Sequence, residues 1–221
     1  MKRNYPAWLL GLILLAGCGG TGTETASEPL CSPDTFTPNY VRQLERLLYW
    51  ERFPLRVYFV RDANYSPFWE SIALEGFNQW VEATGNKVQY QVVTQREGAQ
   101  IVVKFDPTTR NGLTTYTYYP STGRLVEAEV SIGTQGNRAV DIRSVSAHEF
   151  GHALGIGGHS PFAEDMMYAT FVSNIPLLIQ ARDLNTLKVA YCDLFLGRSR
   201  SVPPDEEPTV QWTISCCCSE K

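Results

Sequence analysis

Three histidines occur in this 221-residue chain, and all of them lie between positions 148 and 159: His148, His152 and His159. Glu149 follows the first directly. On a helix, His148 and His152 stand one turn apart and face the same way. Two imidazoles so placed can both reach one ion at the roughly 2.0–2.1 Å that zinc–nitrogen bonds require. A catalytic zinc usually has three protein ligands and one open position. Gly155 can adopt a positive φ and end the helix; the chain then turns back and offers His159 as the third ligand. Glu149 points away from the coordination sphere, towards the open side. There it can take a proton from a water whose pKa the ion lowers to about 7 and pass it to a leaving amine. The chemistry is metal-assisted hydrolysis. An HExxH run arises by accident on surface helices, but the confinement of every histidine to this segment argues against accident. A rival third ligand, Glu164, sits in a short loop bounded by Pro161.

The elements around this segment must hold it. Asp141 to Leu154 reads as the helix that carries it. Ser66-Pro67 opens an earlier helix running to about Ala83, with Phe68, Ile72, Phe77, Trp80 and Val81 as its apolar stripe. Gln180 to Leu194 reads as a last helix. Strands are expected at Leu55–Val60, Val88–Thr94, Gln100–Phe105, Leu113–Tyr119 and Leu125–Ile132, the last two joined by a turn at Pro120-Ser121-Thr122-Gly123. Asn39 to Trp50 shows Val41, Leu44, Leu47 and Leu48 at helical spacing after Pro38, which predicts a short N-terminal helix. The order is α+β rather than doubly wound. The catalytic unit is expected over residues 55–196, preceded by a tether and short helix over 18–54 and followed by a flexible, Cys-containing tail over 197–221.

The formal net charge is −4, and no basic stripe is present, which argues against nucleic acid as a partner. Lys2 and Arg3 precede an apolar run from Trp8 to Ala16, about half the roughly 20 residues a membrane-spanning helix needs. Leu15-Ala16-Gly17-Cys18 resembles the bacterial lipobox, which implies a lipoprotein signal over residues 1–17, lipidation of Cys18 and a bacterial cell-envelope location, with membrane contact through the lipid alone. Export permits disulfides among Cys31, Cys192, Cys216, Cys217 and Cys218. Their spacing matches neither a zinc knuckle nor a redox CxxC, and an odd count leaves one thiol unpaired within the chain.

The stretch His148-Glu149-Phe150-Gly151-His152-Ala153-Leu154-Gly155 with His159-Ser160 resembles the metzincin signature HExxHxxGxxH, and its wording resembles the matrixin branch. It departs in one place: three residues, Ile156, Gly157 and Gly158, separate Gly155 from His159, where the family has two. Asp165-Met166-Met167-Tyr168 resembles the family's methionine turn beneath the zinc ligands, with Met167 as the methionine. Ala99–Phe105 is similar to the central matrixin strand, Gly112–Ile132 to the strands bordering the cleft, and Ile179–Tyr191 to the closing helix. The resemblance implies a metzincin-like catalytic domain: a twisted, mixed, mostly parallel sheet with an antiparallel edge strand and three main helices. It implies one catalytic zinc and hydrolysis of peptide bonds in extracytoplasmic proteins or peptides by a monomer, through a metal-activated water. An extended peptide would add as a strand at the cleft, with Glu127–Ser131 as the expected edge and residues 168–180 walling the specificity pocket. Calcium remains open on carboxylates and carbonyls, although no EF-like loop is present. Pro29-Leu30-Cys31-Ser32-Pro33-Asp34 is similar to the matrixin cysteine switch but lacks its arginine; a disulfide from Cys31 to Cys192 or the tail is the favoured reading. Other classes are a non-catalytic, zinc-stabilised peptide-binding module, against which Glu149 argues, and a secreted scaffold with an accidental motif, against which His159 and Met167 argue.

Overall fold

A computed structural model describes residues 31–170, 175–200 and 208–216. The signal segment, Cys18, Cys217 and Cys218 lie outside the described residues. After a single 3₁₀ turn at Val41–Gln43, the elements are β1 (Arg46–Leu47), β2 (Leu55–Phe59), α1 (Pro67–Ala83), β3 (Tyr90–Val93), β4 (Ile101–Asp106), β5 (Gly112–Tyr118), β6 (Leu125–Gly133), α2 (Ala139–Ala153), β7 (Ile156–Gly157), α3 (Ala181–Ala190), α4 (Cys192–Leu196) and β8 (Val210–Ser215). β3, β2, β4 and β6 run parallel; β5 is antiparallel to β6, and β8 antiparallel to β5, giving the order β3-β2-β4-β6-β5-β8. This is the mixed, mostly parallel α+β architecture expected, with an antiparallel border.

Burial follows the pleat. In β2, Leu55, Val57 and Phe59 face inward while Arg56 is exposed. β4 buries Ile101, Val102, Val103 and Phe105, as a strand covered on both faces does. α1 and α2 pack against each other, with Phe77 stacked on Phe150 at 4.1 Å between ring centroids and Trp80 Nε1 donating to the Ala147 carbonyl at 2.7 Å. The aromatic pair and the satisfied indole fix the helix carrying the three histidines' segment against the core.

Three expectations are corrected. Beyond the 3₁₀ turn at Val41–Gln43, the segment 39–50 is extended rather than α-helical. Its hydrogen bonds go to distant partners: Tyr40 N to Thr186 Oγ1, Leu48 N to the Gly155 carbonyl, and Trp50 N to Tyr191 Oη. Tyr40, Leu48 and Trp50 are its buried residues, a set that no single helix face presents, and tertiary bonds replace the helical ones. It is therefore a strap packed into the domain, not part of a tether. The tail is not wholly flexible either, because β8 completes the sheet. Finally, Glu127–Ser131 is not an edge: β6 lies between β4 and β5, since the 120–123 turn folds β5 back over its open side. The break of the last helix at Tyr191 into α3 and α4 is a smaller difference.

Candidate metal centre

α2 is almost wholly buried, with His148, Glu149 and His152 among its interior residues. Burying charged or polar groups this deeply costs several kcal/mol unless each finds a partner. His148 Nδ1 meets the Met166 carbonyl at 2.8 Å, and His152 Nδ1 meets the Ile156 carbonyl at 2.7 Å. A carbonyl only accepts, so each Nδ1 must be the protonated nitrogen and each Nε2 carries a lone pair. The two Nε2 atoms face each other at 3.0 Å. Burial pushes His148 down to about 3, with His159 adding to the effect, and pushes His152 well below the ordinary imidazole value. Neither ring therefore holds a second proton at neutral pH.

Two lone pairs at that distance repel unless a cation lies between them. Two nitrogens bound at about 2.0–2.1 Å to one tetrahedral ion stand about 3.3 Å apart, close to the arrangement found. The carbonyl contacts are the outer bonds that orient metal-ligating imidazoles. The residues present thus fit a zinc ion.

His159 joins them. α2 ends as Gly155 N bonds the His152 carbonyl, and Gly155 takes φ +108°. The chain then pairs β7 with β1, Gly157 opposite Arg46, and passes Gly158 at φ +147°. Both φ values belong to glycine. This path absorbs the extra residue and brings the His159 ring to 5.0 Å from His152 and 5.4 Å from His148 between centroids. One ligand nitrogen of each histidine lies within 4.8 Å of the others. Burial lowers His159 as well.

Glu149 is fully buried beside them. Thr114, on the inward face of β5, donates from Oγ1 to Oε2 at 2.6 Å, and Oε1 has no hydrogen-bond partner. Burial pushes this carboxyl up to about 8, with Thr114 and Cys216 pulling it down. A bound cation would pull it lower still. Gly112 gives it room: a Cβ there would sit 2.1 Å from Oε1.

Met166 and Met167 are both fully buried. A Cβ on Gly151 of α2 would lie 2.4 Å from Met167 Sδ, which sets that sulfur directly against the metal-binding helix. The turn is held by Asp183 at the start of α3, whose carboxylate accepts the N–H groups of Met166, Met167 and Gln180 and the Tyr40 hydroxyl. Burial pushes Asp183 up to about 6 against the pull of those donors. Asp165 is also buried, accepting from Ser160 and paired with Arg182 at 2.8 Å.

Of the other candidates, Glu164 is excluded as a ligand, since its exposed carboxylate pairs with Arg182 at 2.6 Å. Cys31 is disulfide-bonded to Cys192, so it is no switch, and the grouping of those two with Asp193 is no metal site. No cluster of three carboxylates forms among the described residues, which leaves calcium without support. Thr114, Gly112, Asp183 and Trp50, whose Nε1 donates to the Ala153 carbonyl at 2.8 Å, belong to the site but were not singled out by spacing. Asp183 carries a legible signal, an acid three residues into a helix. Thr114 carries a weaker one, a hydroxyl on the apolar face of a strand. Cys216, following β8, is buried, and its sulfur lies within 4.8 Å of ligand atoms of His148 and Glu149.

The family model for matrixin, a metallopeptidase family, matches residues 68–192, more than half of the chain, and the chain belongs to that family. Stromelysin-3 of the rat (Rattus norvegicus) is similar at 29% identity over 104 residues, covering 45% of this chain. The chain matches only 20% of that relative's length.

Proposed function

We propose that this chain is a zinc endopeptidase that cuts proteins or peptides outside the cytoplasm, tethered to the cell envelope by lipid on Cys18. The observation that carries the catalytic reading is the pair of imidazoles with protons fixed on Nδ1 and lone pairs converging at 3.0 Å, beside a buried carboxylate. The envelope location rests on Lys2, Arg3, the apolar run and Leu15-Ala16-Gly17-Cys18. No described helix is long and apolar enough to cross a membrane.

His148, His152 and His159 would hold a zinc ion, which would polarise the scissile carbonyl and make a bound water acidic enough to ionise near neutral pH. Glu149 Oε1, without a protein partner, takes that water's proton and delivers it to the leaving amine. Thr114 holds Oε2, so the carboxylate keeps one oxygen for the reaction. A peptide backbone would add as a strand along the flank of β5 away from β6, where β8 lies in this structure. A small recess beside His148, lined by Val145, Tyr168, Leu177 and Cys216, marks where a substrate side chain would enter.

Metal content and cleavage of a broad peptide library, measured on wild type and Glu149→Ala, test this reading. Both proteins should hold about one zinc, and the variant should cleave at least about 100-fold more slowly. Equal cleavage by both would remove Glu149 from the mechanism, and metal in neither would refute the reading.

A further inference from the structure

His148 and His152 are each oriented by a backbone carbonyl on Nδ1, and outer bonds of that kind fix the ring of a metal-ligating imidazole. His159 has no such carbonyl among the described residues, and its buried Nε2 lacks a hydrogen-bond partner there. Its ring must therefore be placed from the backbone on either side. Gly158, before it, sits at φ +147° and gives the chain latitude rather than hold. Ser160, after it, is buried and pinned at three points. Its N–H donates to the Met167 carbonyl at 2.8 Å, its Oγ accepts the Phe162 N–H at 3.2 Å, and its hydroxyl donates to Asp165 Oδ2 at 2.5 Å.

The Asp165 side chain is fully buried. Its counter-charge is Arg182, in the first turn of α3: Nε reaches the two carboxylate oxygens at 3.1 and 3.0 Å, and Nη2 reaches Oδ1 at 2.8 Å. The Phe162 ring lies 4.2 Å from the guanidinium and covers it. A buried ion pair seldom stabilises a fold more than an apolar pair of the same volume, whereas one member left alone is a stranded charge. Stability therefore does not account for a carboxylate buried at this place. Orientation does. A carboxylate held by the planar guanidinium fork has both oxygens fixed in direction, and one of them receives the Ser160 hydroxyl.

We propose that the buried Asp165–Arg182 pair positions the third metal ligand: through the Ser160 hydroxyl it fixes the turn from which the His159 ring reaches the ion. This inference rests on the metallopeptidase reading. Asp165 and Arg182 are positioning residues, and neither belongs to the group of side chains that could hold the ion. The next residue of α3, Asp183, grips the same loop further along, through the Met166 and Met167 N–H groups. The first turn of α3 thus carries two adjacent side chains with separate tasks, one for the methionine turn and one for the third ligand. That hold replaces the carbonyl bond that His148 and His152 have and His159 lacks.

The test titrates zinc into the full chain, stripped of metal, in competition with a chelating dye. Wild type is compared with Ser160→Ala and with the double variant Asp165→Leu/Arg182→Leu. Ser160→Ala leaves the ion pair in place and cuts only its link to the ligand. The double variant replaces both charges by apolar side chains and should melt close to wild type; if it does not fold, Ser160→Ala decides alone. Both should bind zinc about 10–100-fold more weakly, the usual effect of losing an outer partner. A chain already carrying His159→Ala separates orientation from general loosening. There, adding Ser160→Ala should weaken zinc by less than about twofold, because the ligand it positions is gone. A loss below about tenfold in Ser160→Ala alone, or above about twofold beside His159→Ala, would overturn the inference and leave the peptidase reading standing. Wild type that binds no zinc would instead remove the peptidase reading itself.

Discussion

Residues 148–159 and residues 210–216 meet at one place but are built in opposite ways. The first segment is local. Its ligands are one helical turn and one short loop apart, nearly every residue is buried, and the imidazoles of His148 and His152 are each pinned by a backbone carbonyl. The second is an edge strand added from the far end of the chain, with most side chains exposed and a few ring contacts to hold it. Buried, many-partnered groups are costly to disturb, whereas an edge strand opens at low cost. The contrast teaches that the metal-binding geometry is carried by the rigid element, while the loose one closes the border of the sheet.

Several substitutions would break or sharpen this contrast. The largest effect is expected from His159→Ala, which removes a ligand that the loop carries over Gly155 and Gly158; zinc affinity should fall by more than about 100-fold, beyond the usual cost of losing an outer-shell partner, as read by competition with a chelating dye. Gly112→Ala comes next. Its new Cβ would lie 2.1 Å from Glu149 Oε1, so kcat/KM should drop at least about 100-fold, the scale of losing the general base, while zinc content stays near one per chain. Asp183→Asn keeps the size but turns an acceptor into an amide facing backbone N–H groups. It should cost about 2–4 kcal/mol, a fall in Tm of roughly 5–15 °C at this chain length. Trp50→Phe deletes the indole bond to the Ala153 carbonyl and should cost about 1 kcal/mol in chemical denaturation. Trp212→Ala, in the loose region, should change global stability by less than about 1 kcal/mol while raising hydrogen exchange at residues 210–215. A global loss as large as that of Asp183→Asn would show that β8 is part of the core and undo the contrast.

Much of the fold was legible from pattern. The alternation at Leu55, Val57 and Phe59 and the apolar run at Ile101–Phe105 located strands within a residue or two, and Ser66-Pro67 marked the start of α1 where it lies. The four metal-centre residues were legible because helical periodicity and a glycine stop are local properties of neighbouring residues. What misled was spacing with more than one solution. Val41, Leu44, Leu47 and Leu48 satisfy a helical stripe, yet Leu48 N bonds the Gly155 carbonyl and Arg46 pairs with Gly157. That arrangement depends on where α2 ends, a fact absent from residues 39–50. Likewise, Val210–Ser215 follows a Pro- and Glu-rich stretch that reads as a flexible tail, and it becomes a strand only because β5 presents an open flank.

By itself, then, the sequence determined the chemistry on offer. It names three imidazoles and one carboxylate on a helix with a glycine exit, and a methionine turn to lie beneath them. Only the tertiary structure decided which Nδ1 protons are locked, that His159 reaches its partners despite arriving one residue late, and that Gly112 and Thr114 shape the Glu149 carboxylate. It also bonded Cys31 to Cys192 and laid the C-terminal strand along β5. The division has a physical cause: side-chain spacing along one element is set by backbone period, while carbonyl partners, close approaches and strand neighbours come from other segments, 18 residues away for His148 and Met166 and 35 for Thr114 and Glu149, and exist only once the chain has packed.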